Sequence, residues 1–214
     1  SGDIWTANFE DNRIPSSFIA GGWDTNYYPQ YALIVGNKYA LKAPDAPSML
    51  VTPKLRAGAG DKLQFSVASA SSATGTEFEG NLKVYISANR HKWTLLDTFS
   101  ATAADETHRL SKARAGRSGA YYQSIPYTVT LPAGRWYVAF EGDHVYLDDI
   151  AGLHAEPLGH DLYLSSAVLP AAGAVNSRAD YAVTVQNLGV DEAEGSYRAQ
   201  LFVDGVAVDS AAAV

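Results

Sequence analysis

Apolar and polar residues alternate with a period of two along most of this chain, and no other sequence feature restricts the fold as strongly. Successive side chains of a strand point to opposite faces, so such alternation buries one face and wets the other. Leu63, Phe65 and Val67 alternate with Lys62, Gln64 and Ser66. Leu82, Val84 and Ile86 repeat the pattern, as do Tyr127, Val129 and Leu131, and then Trp136, Val138 and Phe140. The last two runs flank Pro132-Ala133-Gly134, a turn sequence that predicts a hairpin between them and places Trp136 in the core. Amphipathic helical stretches of useful length are missing, which makes the chain all-β and built from antiparallel strands.

Clusters of Gly, Pro, Ser, Asn and Asp break the apolar runs at close spacing, the punctuation of a sandwich. Residues 101–119 are rich in Ala, Ser, Arg and Gly and read as a long loop with a short helix around Asp105 to Lys112. The texture changes at Glu156-Pro157-Leu158-Gly159, where an aromatic-rich part gives way to an Ala- and Val-rich one. Two domains are expected, residues 1–156 and 157–214. The second shows strands at Asp161–Leu164, Tyr181–Val185, Tyr197–Val203 and from Val206, with turns at Gly173, Asn187-Leu188-Gly189 and Asp204-Gly205. Four strands fall short of the roughly seven of an immunoglobulin-like sandwich, so this domain reads as partial.

Composition removes several function classes. With 47% hydrophobic residues a core is available, yet no run approaches the roughly 18 apolar residues of a membrane-spanning helix. A net charge of −7 opposes a phosphate backbone, so nucleic acid is not an expected partner. Zero cysteines exclude disulfides, thiolate metal sites and cysteine nucleophiles. The opening Ser1-Gly2-Asp3 has no signal-peptide pattern and reads as the start of a mature fragment. His91, His108, His144, His154 and His160, and the acid pairs Glu77/Glu79 and Glu141/Asp143, show no catalytic spacing. No enzyme activity is expected.

Several segments, in order, resemble the cleaved-adhesin or choice-of-anchor J family. They are Asn8-Phe9-Glu10, Ile14-Pro15, Gly22-Trp23-Asp24, Ser48 to Leu55, Leu82 to Ser87, Val129 to Gly134, Trp136 to Phe140 and Leu147-Asp148-Asp149-Ile150. The resemblance covers residues from about 4 to 153. It implies a MAM-like jelly-roll β-sandwich, similar also to carbohydrate-binding modules, as found in bacterial haemagglutinins and gingipain adhesin regions. A basic, Ala-rich loop after Phe99 departs from those modules. Residues 181–189 and 201–205 resemble a CARDB-type immunoglobulin-like domain. The fold class expected is thus a jelly-roll β-sandwich followed by a partial immunoglobulin-like β-sandwich.

The resemblance implies an extracellular or cell-surface bacterial module that adheres to a glycan or a host or extracellular protein, as a monomer within a multidomain chain. A structural spacer or accessory domain of a secreted peptidase or glycoside hydrolase is the alternative. In such jelly rolls the first and last strands lie together, so Glu10, Asp148 and Asp149, with Asp24 and Asp143 as secondary candidates, are expected to hold a structural Ca²⁺, a hard ion that takes six to eight oxygens. The alternative reading leaves Asp148 and Asp149 at the solvent end of a strand and Glu10 paired with an arginine. Tyr27, Tyr28, Tyr31, Tyr121 and Tyr122 are candidates for stacking on a sugar or anchoring a protein, though Tyr is also ordinary sheet packing. Arg109, Lys112, Arg114 and Arg117 form a basic patch, read as a solvated loop face.

Overall fold

The computed structural model of the chain describes residues 3–27, 38–70, 79–112, 126–169, 178–191 and 197–212. Every regular element among them is a strand, and the chain divides into two compact units, Ser1–Pro157 and Leu158–Val214. The strands of the first unit are β1 (Ile4–Ala7), β2 (Asp24–Tyr27), β3 (Tyr39–Lys42), β4 (Ser48–Val51), β5 (Leu55–Ala57), β6 (Lys62–Ser69), β7 (Asn81–Ser87), β8 (Thr94–Ser100), β9 (Ser111–Lys112), β10 (Pro126–Thr130), β11 (Gly134–Asp143) and β12 (Val145–Ala155).

Two layers form because the period-2 runs bury one face each. One layer runs β2-β3-β12-β6-β10, and the other has β11 between β4 and β7, with β8 beyond β7. Rings from opposite layers meet: Phe65 of β6 lies 5.3 Å from Phe140 of β11 and 5.7 Å from Phe99 of β8, edge to face in both cases. Leu63, Val67, Leu82, Val84, Val129, Val138 and Leu147 fill the same core. This is a jelly-roll-like β-sandwich, an arrangement that pairs most strands on both sides.

The layers are joined by strands that change partners. β11 pairs with β5 over Gly134–Trp136 and with β4 over Ala139–Gly142. At the break, Thr52 is buried and its Oγ1 accepts the Val138 N–H at 3.1 Å, so the backbone donor stays paired. β12 makes the corresponding passage. Its first half pairs with β3 and β6, and its second half with β1 and β5. Asp149 has φ +46° at this switch, and Gly152 has φ +98° with its Cα against the Lys62 carbonyl, where a Cβ would sit 2.1 Å from that oxygen. Only glycine fits there.

Three expectations are corrected. β10 and β11 are not a hairpin: β10 pairs with β6, whereas β11 pairs with β4, β5 and β7, so Pro132-Ala133-Gly134 carries the chain from one layer to the other. Residues 105–112 form turns and then β9, which runs parallel to β6, in place of a helix. Trp136 packs partly buried at the core margin, its indole N–H donating to the Pro132 carbonyl at 2.9 Å. Trp23 is the enclosed indole, 3% exposed and donating to the Ser48 carbonyl.

The second unit contains β13 (Leu162–Val168) paired antiparallel with β14 (Ala182–Asn187), and β15 (Arg198–Val203) paired with β16 (Val206–Ala212). Val203 faces Val206 across Asp204-Gly205, both at positive φ, the two-residue turn whose twist matches a hairpin. Gly173 lies outside the described residues.

Candidate functional site

The antiparallel register of β1 on β12 places Ile4, Trp5 and Ala7 opposite His154, Leu153 and Ile150. Beyond Ala7 the chain therefore leaves toward the Asp148-Asp149 end of β12. β3 arrives there from the other direction, with Leu41 opposite Leu147 and Lys42 opposite Tyr146. The start of the chain, the start of β3 and the partner switch of β12 thus converge. A turn with Phe9 at φ +56° and the Asn12 N–H on the Phe9 carbonyl turns the chain there and presents Glu10.

Among the described residues, Glu10 has no arginine partner. Its carboxylate accepts the backbone N–H of Lys38 at 3.0 and 3.2 Å and that of Tyr39 at 3.1 Å, pinning the first residue of β3. Two carboxylate oxygens carry about four acceptor sites, so this use leaves capacity for a further donor or a cation. Asp148 is 1% exposed, lies opposite Ser66, and accepts the Asp149 N–H at 2.8 Å. It is not a solvent-facing strand end. Burying a carboxylate needs compensation by hydrogen bonds or an ion.

The secondary candidates lie apart in role. Asp24 opens β2 and accepts the Thr25 N–H at 2.8 Å. Asp143 ends β11, taking a 3.4 Å bond from the Asn81 amide and facing His144 Nδ1 at 3.0 Å. The hydrogen bond with Asp143, aided by the charges of Asp143, Glu79 and Asp45, raises the His144 pKa against a smaller desolvation effect. Among the described residues, no three His, Cys, Asp or Glu side chains gather as a metal would require. Glu10, Asp148 and Asp149, with the secondary candidates Asp24 and Asp143, thus do not form a group of three or more side-chain ligands.

Of the five tyrosines, Tyr28, Tyr31, Tyr121 and Tyr122 lie outside the described residues, as do Arg114 and Arg117. Tyr27 is 55% exposed, and its ring lies 5.3 Å from that of Tyr39 at 50°. Glu10 thus fixes the backbone of the tyrosine that supports Tyr27. Two rings on adjoining strands present an apolar surface with hydroxyl rims, the kind of surface on which a sugar or a protein side chain packs. Arg109 is no free patch member: its guanidinium donates to the Ala103 and Ala104 carbonyls, both at 2.8 Å.

Sequence reasoning missed one cluster. His108 lies between Asp97 of β8, 2.9 Å from its Nε2, and Asp105, 2.7 Å from its Nδ1. The spacing Asp105-x-x-His108 was visible, but Asp97 enters from a different element and no local pattern announces it.

No family model matches the chain, and no curated protein does. Among solved structures, the K1 cleaved adhesin domain of Lys-gingipain from Porphyromonas gingivalis W83 is 25% identical with a TM-score of 0.52, covering 72% of this chain and 99% of that one. The K3 domain of the same protein is 20% identical at TM-score 0.43, covering 69% and 96%. A carbohydrate-binding module of Cellvibrio mixtus lichenase 5A, solved with cellotriose, is 17% identical at TM-score 0.41, covering 72% and 98%. Of these three, the K1 domain alone exceeds a TM-score of 0.5.

Proposed function

We propose that the first unit is a non-catalytic adhesion or binding module of a secreted or cell-surface bacterial protein, with a glycan or an extracellular protein as its partner. The observation that carries this reading is the likeness to nearly the whole K1 cleaved adhesin domain of Lys-gingipain, at 25% identity. Fold likeness gives no ligand by itself. The exposed Tyr27 on its Tyr39 support is the surface best suited to contact one.

The catalytic alternative has little to work with. Thr107 Oγ1 lies 3.0 Å from His108 Nδ1, but it also bonds to Asp105 and that nitrogen itself faces the Asp105 carboxylate, and no recognised catalytic motif occurs in the sequence. The second unit is proposed as an immunoglobulin-like segment of CARDB type, supported by two antiparallel strand pairs and the Asp204-Gly205 turn. A spacer role, ordering neighbouring domains, is the competing function.

Calcium stays within the proposal in reduced form. Glu10 and Asp148, reaching the start of β3 and the switch of β12, would be completed by carbonyl oxygens and water, the ligands a hard cation accepts besides carboxylates. Its role would be to hold the two ends of the unit together. Binding of the full chain to glycan and matrix-protein arrays, with soluble competitor, tests the main reading; a spacer gives no competable signal.

A further inference from the structure

His108 has a carboxylate on each ring nitrogen, and the Thr107 hydroxyl, 3.0 Å from Nδ1, is the one neighbour there that a neutral nitrogen could accept from. Nε2 faces Asp97 Oδ1 at 2.9 Å, Nδ1 faces Asp105 Oδ2 at 2.7 Å, and Thr107 Oγ1 adds a 2.9 Å bond to the same Asp105 oxygen. Neutral imidazole has one N–H and one lone pair, so one nitrogen would confront a carboxylate without a proton between them. The imidazolium donates to both. Its ring stacks on Phe99 at 5.3 Å and 29°, which fixes its plane.

These contacts hold a loop to a strand. The Ser100 N–H bonds to the His108 carbonyl at 3.0 Å, the Leu110 N–H to the Ser100 carbonyl at 2.9 Å, and the His108 N–H to the Asp105 carbonyl at 3.1 Å. Asp97 is the side-chain anchor on β8. Loop and strand together border a cleft of about 330 Å³, lined by Asp97, Glu106, His108, Pro126, Tyr127 and Thr128. The groups facing His108 are acidic: Asp97 from β8, Asp105 from the loop, and Glu106 on the same cleft wall. Arg109, the next residue along the chain, donates its guanidinium to the Ala103 and Ala104 carbonyls, and the Tyr127 hydroxyl donates to the Arg109 carbonyl at 2.6 Å.

We propose that His108 is a protonation-controlled latch: as an imidazolium it ties the 101–110 loop to β8 and narrows the cleft, and on losing its proton it releases the loop while the sandwich stays folded. Hydrogen bonds donated to Asp105 and then to Asp97 raise the His108 pKa above 6.5, which agrees in direction. The closed state is complete below the ordinary imidazole value and is lost as pH rises through the raised one.

Two measurements on the full chain test this. Histidine NMR should show His108 titrating above 6.5, and Asp97→Asn should lower it. Amide exchange, corrected for intrinsic pH dependence, should show Ser100, His108 and Leu110 losing protection across that titration, by about tenfold for each unit of elevation, with β6 amides unchanged. His108→Phe keeps a ring over Phe99 without a proton and should leave the loop unprotected at every pH; if that variant fails to fold, Asp97→Asn carries the test alone. A His108 midpoint at or below 6.5, loop protection independent of pH, or wild-type protection in the variant that folds overturns the latch.

Discussion

Ala7 of β1 lies opposite Ile150 of β12, which brings the first strand of the unit alongside its last. That pairing is what allows Glu10 to reach the backbone of Lys38 and Tyr39, and it places the partner switch of β12 next to the start of β3. The proposed Tyr27 contact surface and the candidate cation site both depend on it.

The core that supports this pairing should be sensitive to the ring contact across the layers. Phe140 is fully buried and meets Phe65 edge to face. Phe140→Ala should cost roughly 3 to 5 kcal/mol in denaturant unfolding, from lost burial plus the cavity left behind. A loss under about 1 kcal/mol, the scale of a surface change, would mean that the layers do not meet there.

Gly152 and Gly60 give a matched comparison, since both have positive φ but differ in surroundings. A Cβ at Gly152 would meet the Lys62 carbonyl at 2.1 Å, whereas nothing lies within 4 Å of one at Gly60. Gly60→Ala should cost about 1 kcal/mol from backbone conformation alone. Gly152→Ala should cost clearly more, because β12 and β6 must separate as well. Equal losses would contradict the close approach of these strands.

The acid side of the His108 cluster has its own signature. The His108 hydrogen bond, followed by the Thr107 backbone and side-chain bonds, lowers the Asp105 pKa from 3.8 to about 2. A depressed carboxyl supports the folded loop above pH 3.8, loses that support as pH falls, and gives none below about 2. The Asp105 carboxyl carbon should titrate near 2 and return toward 3.8 in His108→Phe. An unchanged midpoint would show that the histidine is not its main partner.

Calcium is tested by melting. With a dissociation constant near 10⁻⁴ M and about 2 mM calcium, linkage contributes about 2 kcal/mol. The midpoint should then fall by about 5 °C when chelator replaces calcium. Glu10→Gln should abolish the difference, and the same midpoint in both conditions removes the metal from the account.

Strand identity and burial were legible because alternation states which face is apolar: Leu63, Phe65, Val67, Leu82 and Val84 are all buried as their spacing requires. Neighbours were not legible. The same alternation in Tyr127–Leu131 and Trp136–Phe140 suits a hairpin or a passage between layers equally, and only the competing partners, β6 for one and β4, β5 and β7 for the other, decide it. The carboxylates show a similar limit. Residue type suggested a cation at Glu10, but Glu10 takes up backbone donors from a segment 28 and 29 positions away, a contact that depends on where β3 begins. The His108 cluster is not legible in the sequence because one of its acids, Asp97, lies across the fold on β8.

The most direct test of the binding-module reading is an array of neutral, amino and acidic glycans and extracellular-matrix proteins probed with the full chain, followed by competition with the soluble form of each hit. The account predicts at least one reproducible signal that soluble ligand competes away and that Tyr27→Ala weakens. No competable signal on any ligand would contradict it and leave the spacer role.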